Sequence, residues 1–277
     1  MIILEEVISS RNNPTVKWAA SLSDKKGRDA EALFIVEGKK LVFEALENFL
    51  PVTHIFVAES KKNVYFPEIM RFFKEKFLES TKILVLSDSA FEKISTEKAP
   101  QGIISVIKYL DFFQELDIIY KEDFFLEDSE RAIVLSSLRD PGNLGSVIRS
   151  AVAFGARHII LSSDSADIYN PKTIRAAMGS LFKVKVSYVK NLVDFVRVAR
   201  ENGRRVFSAE LSSSAVSLSD VELLATDLFI IGNEGHGIDK SVSEASTGSV
   251  YIPISALTES LNAAVAAGIF IWEQSKI

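Results

Sequence analysis

The chain reads as an α/β protein built from two units, each a sheet with helices against it. Two patterns predict this. Short apolar runs rich in Ile, Val and Leu alternate with segments whose apolar residues recur at helical spacing, the signature of strands and helices in alternation. Three polar loops carrying Gly, Asn or Ser then follow apolar runs in the second half, at Asp140–Gly145, Gly232–Gly237 and Ile252–Asn262. In a parallel sheet such loops share the carboxyl edge, where ligands bind.

In the first unit, Arg11-Asn-Asn-Pro14 is a turn-like entry, followed by a helix over about Thr15–Leu22 and a basic loop, Asp24–Arg28. Leu33–Val36 reads as a strand and Lys39–Asn48 as a helix with Leu41, Val42, Ala45 and Leu46 on one face. His54–Val57, Ile83–Leu86 and Gly102–Ile107 are further strands, with helices at Glu68–Phe77 and Ser87–Ile94 between them. This makes a domain of residues 1–110. Residues 111–130, acidic and aromatic with weak periodicity, are expected to be a linker.

The second domain spans 131–277. Ala132–Leu135 is a buried strand, Asp140-Pro-Gly-Asn143 a turn, and Leu144, Val147, Ile148, Ala151 and Val152 recur at helical spacing up to Gly155. Strands follow at His158–Leu161, Phe182–Tyr188, Arg205–Ala209, Asp227–Ile231 and Val250–Ile254, and helices at about 172–178, 192–201 and 239–245. A last helix over Ser260–Ser275, with Ser260 as its N-cap, is apolar nearly all round. It is therefore expected to be buried or paired with another chain.

Composition narrows the chemistry. Apolar residues make up 47% and charged residues 25% of the 277, as in a globular protein, and no apolar run reaches the roughly 18 residues of a membrane span. The N-terminus lacks a signal pattern, so a cytoplasmic location is expected. Without cysteine, thiolate and iron–sulfur chemistry are excluded. His54, His158 and His236 lack metal-ligand spacing, so no protein-bound zinc is expected and no metal is assigned to the site, while a magnesium held by carboxylates stays open. The formal charge of −5 leaves nucleic-acid binding to local patches. Neither Gly142-x-x-Gly145 nor Gly232-x-x-Gly-x-Gly237 fits a dinucleotide or P-loop pattern, which disfavours a nicotinamide or nucleoside-triphosphate enzyme.

Three stretches carry a resemblance: Asp140-Pro-Gly-Asn-Leu-Gly-Ser-Val-Ile-Arg-Ser-Ala151, Ile231-Gly-Asn-Glu-Gly-His-Gly-Ile238, and Ile252-Pro-Ile254 with Glu259-Ser-Leu-Asn-Ala-Ala-Val-Ala-Ala-Gly-Ile269. In order and spacing they resemble the three motifs of the SpoU-type (TrmH-like) RNA 2′-O-ribose methyltransferases of the SPOUT superfamily. Phe34–Leu46 is similar to the L30e-like substrate-binding domain that many members carry in front. The resemblance implies a trefoil-knotted α/β domain with a parallel sheet and helices on both faces, acting as a homodimer on S-adenosylmethionine and RNA. Ribosomal RNA comes ahead of transfer RNA as substrate. The resemblance puts Arg149, Asn143, Glu234, Ser260 and Asn262 at the catalytic centre, and Gly232, Ile252 and Leu261 in the methyl-donor pocket. His236 is not required by the pattern.

Guanidinium does not deprotonate in proteins, so Arg149 is expected to bind phosphate and stabilise oxyanion character rather than act as a literal base. In the first domain Arg11, Lys25, Arg28 and Lys39, with Asn12, Lys17, Lys26 and Lys40 nearby, are candidates for an RNA-facing patch. Two rival readings are a non-catalytic RNA-binding or assembly factor on the same fold and an unrelated nucleotide-binding enzyme.

Overall fold

The computed structural model describes residues 2–73, 81–110, 113–127, 129–233 and 235–277, and resolves two compact units. The first comprises the chain up to Leu110 together with Tyr169–Phe182. In order it holds β1 (Ile2–Ile8), α1 (Pro14–Ser21), α2 (Lys25–Glu31), β2 (Leu33–Glu37), α3 (Lys39–Glu47), β3 (Val52–Ala58), α4 (Lys62–Phe73), β4 (Lys82–Leu86), α5 (Asp88–Ile94) and β5 (Ile103–Lys108). The sheet order is β1-β4-β3-β5-β2. β1, β4 and β3 run parallel, and β5 is antiparallel to both β3 and β2. Val16, Phe56, Leu84, Phe91 and Ile104 form much of its core.

The basic stretch expected as a loop is instead α2, and Gly27 inside it is a packing residue. A Cβ there would lie 2.1 Å from the Ser21 carbonyl oxygen, so only glycine lets α2 close on the end of α1. Arg28 turns back the same way, donating to the carbonyls of Leu22 (3.1 Å) and Ser23 (2.6 Å). β1, too, had no counterpart in the sequence reading.

The segment 169–182, assigned by sequence to the second domain, clusters with the first unit. Tyr169 stacks on Tyr109 at 4.0 Å and accepts the Leu110 N–H at 2.7 Å. Its helix α6 (Pro171–Ala177) is capped by Asn170, whose side chain accepts from the Lys172 N–H, and Arg175 pairs with Glu97.

The second unit holds the rest, Asp111–Ile168 and Lys183–Ile277. Its elements are β6 (Phe113–Leu116), β7 (Ala132–Leu135), α7 (Pro141–Ala153), β8 (His158–Ser162), β9 (Lys185–Val189), α8 (Leu192–Glu201), β10 (Val206–Ala209), β11 (Val216–Ser217), β12 (Leu228–Ile231), α9 (Lys240–Ala245), β13 (Gly248–Tyr251) and α10 (Ala263–Gln274). Eight strands, ordered β11-β13-β10-β12-β7-β8-β9-β6, are all parallel.

The expected linker is part of this unit: β6 pairs with β9, and Ile118 and Leu126 are buried in the core. Successive strand residues point to opposite faces. Ile230 packs with α8 and α9, whereas Phe229 meets Phe270 of α10 at 4.8 Å, so helices cover both faces. Because β12 lies between β7 and β10, with β13 beyond β10, the carboxyl ends of the strands bearing the three loops stand almost side by side. Among the described residues no helix is long and apolar enough to cross a membrane.

His158, at the start of β8, is buried with Nε2 2.7 Å from Ser187 Oγ and Nδ1 3.6 Å from Glu130. Burial, aided by Lys185 and opposed by Glu130, lowers its pKa to about 4. His54 in the first unit is likewise lowered to about 4 by burial and Lys82. An unfolded histidine takes up its proton near pH 6.5, and these folded ones only near 4. The unfolded chain therefore binds more protons in that window, so stability is full above about pH 6.5 and falls as pH drops toward 4. Urea unfolding at pH 7, 6 and 5 measures this. His158→Gln should flatten the second unit's dependence, and identical slopes in the two proteins would refute the assignment.

Candidate functional site

The first loop runs from the end of β7 into α7. Ser136 N–H donates to the Ile231 carbonyl at 2.8 Å, extending the β7–β12 pairing. Ser137 then adopts φ +55°, a left-handed conformation that non-glycine residues hold only when their surroundings fix it. Its N–H donates to Ser162 Oγ (2.7 Å), its hydroxyl to Asp164 (2.8 Å), and its carbonyl accepts Asn233 Nδ2 (2.9 Å). Arg139 adds an ion pair to Asp164 at 3.0 Å. Burial raises the Asp164 pKa, but the donors from Ser162, Arg139 and Ser137 outweigh it and the net shift is downward.

Asp140 caps α7 by accepting the Asn143 N–H at 2.8 Å, with Pro141 in the first helical turn. The helix buries Leu144, Val147, Ile148 and Ala151 and leaves Arg149 exposed, so the guanidinium stands on the solvent side of a packed helix.

The second loop follows β12. Gly232 is required by its surroundings: a Cβ would lie 2.5 Å from the carbonyl carbon and oxygen of Gly237 and 2.8 Å from Ile238 Cγ1. Asn233 and Gly237 exchange backbone hydrogen bonds of 3.0 and 2.9 Å across the turn, and Gly237 takes φ +68°. Asn233 Oδ1 also accepts the Gly235 N–H at 2.8 Å. Glu234 lies outside the described residues.

The third loop leads from β13 to α10. Asn262, not Ser260, caps α10, which starts at Ala263; its Oδ1 accepts from Ala264 (2.9 Å) and Val265 (3.3 Å). The amide fits the role because its oxygen reaches the free helix N–H groups while the backbone stays non-helical at φ −55°, ψ 139°. The same side chain donates through Nδ2 to Asn143 Oδ1 at 3.0 Å. Ser260 is exposed, and its carbonyl accepts from Thr258 Oγ1 at 3.2 Å. Ile252 and Leu261 are half-buried.

The first loop is thus tied to the second through Asn233 and to the third through Asn262. Arg149 and Asn143 share one helix, and Asn143 meets Asn262 directly. Sequence reasoning missed Ser137, Asp164 and Asn233. Asn233 sits inside the recognised second motif and could have been found there, whereas nothing in the sequence joins Asp164 to Ser137. A groove of about 470 Å³ runs between α7 and α10, lined by Asn143, Ser146, Ser150, Val265, Gly268 and Trp272 among others.

Of the RNA-binding candidates, Arg28 is 1% exposed and spent on backbone carbonyls, so it cannot reach a ligand. Arg11, Lys25 and Lys39 are exposed; Lys25 pairs with Asp29 and Lys39 with Glu68, each at 2.8 Å.

Residues 130–272 match the SpoU rRNA methylase family and residues 13–105 the MRM3-like substrate-binding domain. The chain is 29% identical over 269 residues to a 23S rRNA guanosine 2′-O-methyltransferase of Bacillus subtilis, covering 97% of this chain and 98% of that one. It is 28% identical over 272 residues to a 23S rRNA uridine 2′-O-methyltransferase of Streptomyces viridochromogenes (96% and 90%). Among solved structures, the AdoMet-bound rRNA methyltransferase of Sinorhizobium meliloti superposes with a TM-score of 0.83 at 26% identity, over 99% of this chain and 98% of that one.

Proposed function

The chain belongs to the SpoU rRNA methylase family, and on that premise we propose that it methylates a ribose 2′-hydroxyl of ribosomal RNA with S-adenosylmethionine as donor. The observation that carries this reading is the Asn143–Asn262 hydrogen bond, which joins the Arg149-bearing helix to the cap of α10. The donor set suits the cofactor: half-buried Ile252 and Leu261 offer apolar contact, and the tight glycine turn at Gly232 brings backbone groups to the same rim. When bound, S-adenosylmethionine supplies the electrophilic methyl group.

The protein's task is then alignment and charge stabilisation. Arg149 holds the phosphate beside the target ribose and stabilises negative charge growing on its 2′-oxygen as the hydroxyl proton passes to solvent water. Asn143 orients the ribose or the guanidinium, held in place by Asn262. Glu234 supplies the acidic group of the second loop, and Ser260 an exposed hydroxyl facing the RNA. Arg11, Lys25 and Lys39 contribute to RNA binding in the first unit, and the reaction takes place in the cytoplasm. Incubating the purified protein with labelled S-adenosylmethionine and ribosomal RNA, then mapping 2′-O-methyl groups, tests the proposal. A defined ribose methylation supports it; no transfer to RNA overturns it.

The active form is a homodimer in this reading. Val265 and Trp272 on α10 are 51% and 48% exposed along the α7–α10 groove, an apolar strip suited to a second copy. Sedimentation should give a dimer, and Val265→Asp a monomer. A wild-type monomer at micromolar concentration would refute this assembly.

A further inference from the structure

A carboxylate at the end of β10 stands at the rim of the second unit without a part in the chemistry above. Glu210 Oε1 accepts from Ser208 Oγ at 3.0 Å, from Ser249 Oγ at 2.8 Å and from Ser243 Oγ. Ser208 and Ser249 hydroxyls also meet at 3.0 Å, and the Glu210 N–H donates to the Val250 carbonyl at 3.2 Å. Burial raises the Glu210 pKa, but the serine donors outweigh it and the net shift is downward, so the group stays ionised. A charge partly withdrawn from water is costly unless donors meet it, and here three hydroxyls converge on one oxygen of the half-buried carboxylate.

The donors come from elements that frame both later loops. Ser243 lies on α9, which begins just after the 232–239 loop, and Ser249 on β13, which runs into the 252–262 loop. Ser208 anchors the carboxylate to β10, the strand between β12 and β13.

Resting on the methyl-donor reading above, we infer that Glu210 is a positioning residue for the cofactor, acting through Ser243 and Ser249 to set the spacing of the glycine turn and the α10 entry loop. Hydrogen bonds to an ionised acceptor are shorter and stronger than neutral ones, so one carboxylate fixes three elements where a neutral group would fix them loosely. Its effect is greatest on cofactor affinity, because the two loops it ties carry Gly232, Ile252 and Leu261, while Arg149 lies on α7 and is linked to it only through Asn143 and Asn262.

The test compares wild type with Glu210→Gln, reading S-adenosylmethionine Kd by calorimetry, thermal midpoint, and kcat at saturating cofactor. The expected result is a Kd about tenfold higher, equivalent to about 1.4 kcal/mol, with kcat within about twofold and KM for RNA unchanged. Should Glu210→Gln not fold, Ser243→Ala and Ser249→Ala each remove one donor and should each raise Kd about threefold. An unchanged Kd in the folded variants, or a loss confined to kcat, overturns the inference. Failure of the wild type to bind S-adenosylmethionine is a different result, and it overturns the functional reading itself.

Discussion

Arg149→Ala is expected to lower methyl transfer to RNA by about 10²- to 10³-fold while leaving the fold intact. Removing a single charge-stabilising donor typically costs that much, because its interaction strengthens as negative charge develops on the reacting oxygen. Arg149 is exposed on α7, where it pairs with no described residue. Truncating such a side chain changes stability by no more than about 0.5 kcal/mol. Arg149→Lys keeps the charge but loses the planar fork that matches phosphate, and should recover only a minor part of the rate. The measurement is single-turnover methylation with a thermal melt alongside, so that rate and folding are read on the same sample. Wild-type rates in Arg149→Ala would remove the guanidinium from the mechanism.

Gly232→Ala should strongly destabilise the second unit and its cofactor loops. The added Cβ would lie 2.5 Å from the Gly237 backbone, where no flexible side chain can yield. The turn must open, breaking the paired Asn233–Gly237 hydrogen bonds and pulling Asn233 from the Ser137 carbonyl. Overpacking of this kind costs on the order of 1–3 kcal/mol, and S-adenosylmethionine affinity should fall at least tenfold with the displaced loop. Gly248→Ala is the matched control, since its Cβ would meet nothing within 4 Å, and it should melt near wild type. Equal melting temperatures and equal cofactor binding in both variants would show that the turn is slack.

Most second-unit elements could be read from apolar periodicity and turn residues: Leu192–Glu201 and Ala132–Leu135 match the sequence reading at both ends, whereas α7 begins at Pro141, inside the stretch expected as a turn and three residues ahead of Leu144, because Asp140 caps it. Misreadings arose where local chemistry has two solutions. Ser260 and Asn262 are both good caps, and the choice of Asn262 follows from its reach to Asn143 on another helix. Gly27 looks like a breaker until its neighbour is seen, because what it avoids is a clash with Ser21, six residues back. Arg28 looks like surface charge because the carbonyls that hold it become available only once α1 ends beside it.

The identities of most strands, the three polar loops and the arginine helix were determined by the sequence alone, because periodicity, capping and turn preferences act over a few residues; β1, β6 and β11 were not legible in that way. Tertiary structure decided which partners those groups take. It set β12 beside β7, gave Asn233 to Ser137, gave Asn262 to Asn143 and moved Tyr169–Phe182 into the first unit. These pairings join residues far apart in the chain, and their energies depend on burial and direction that exist only after the sheets have formed.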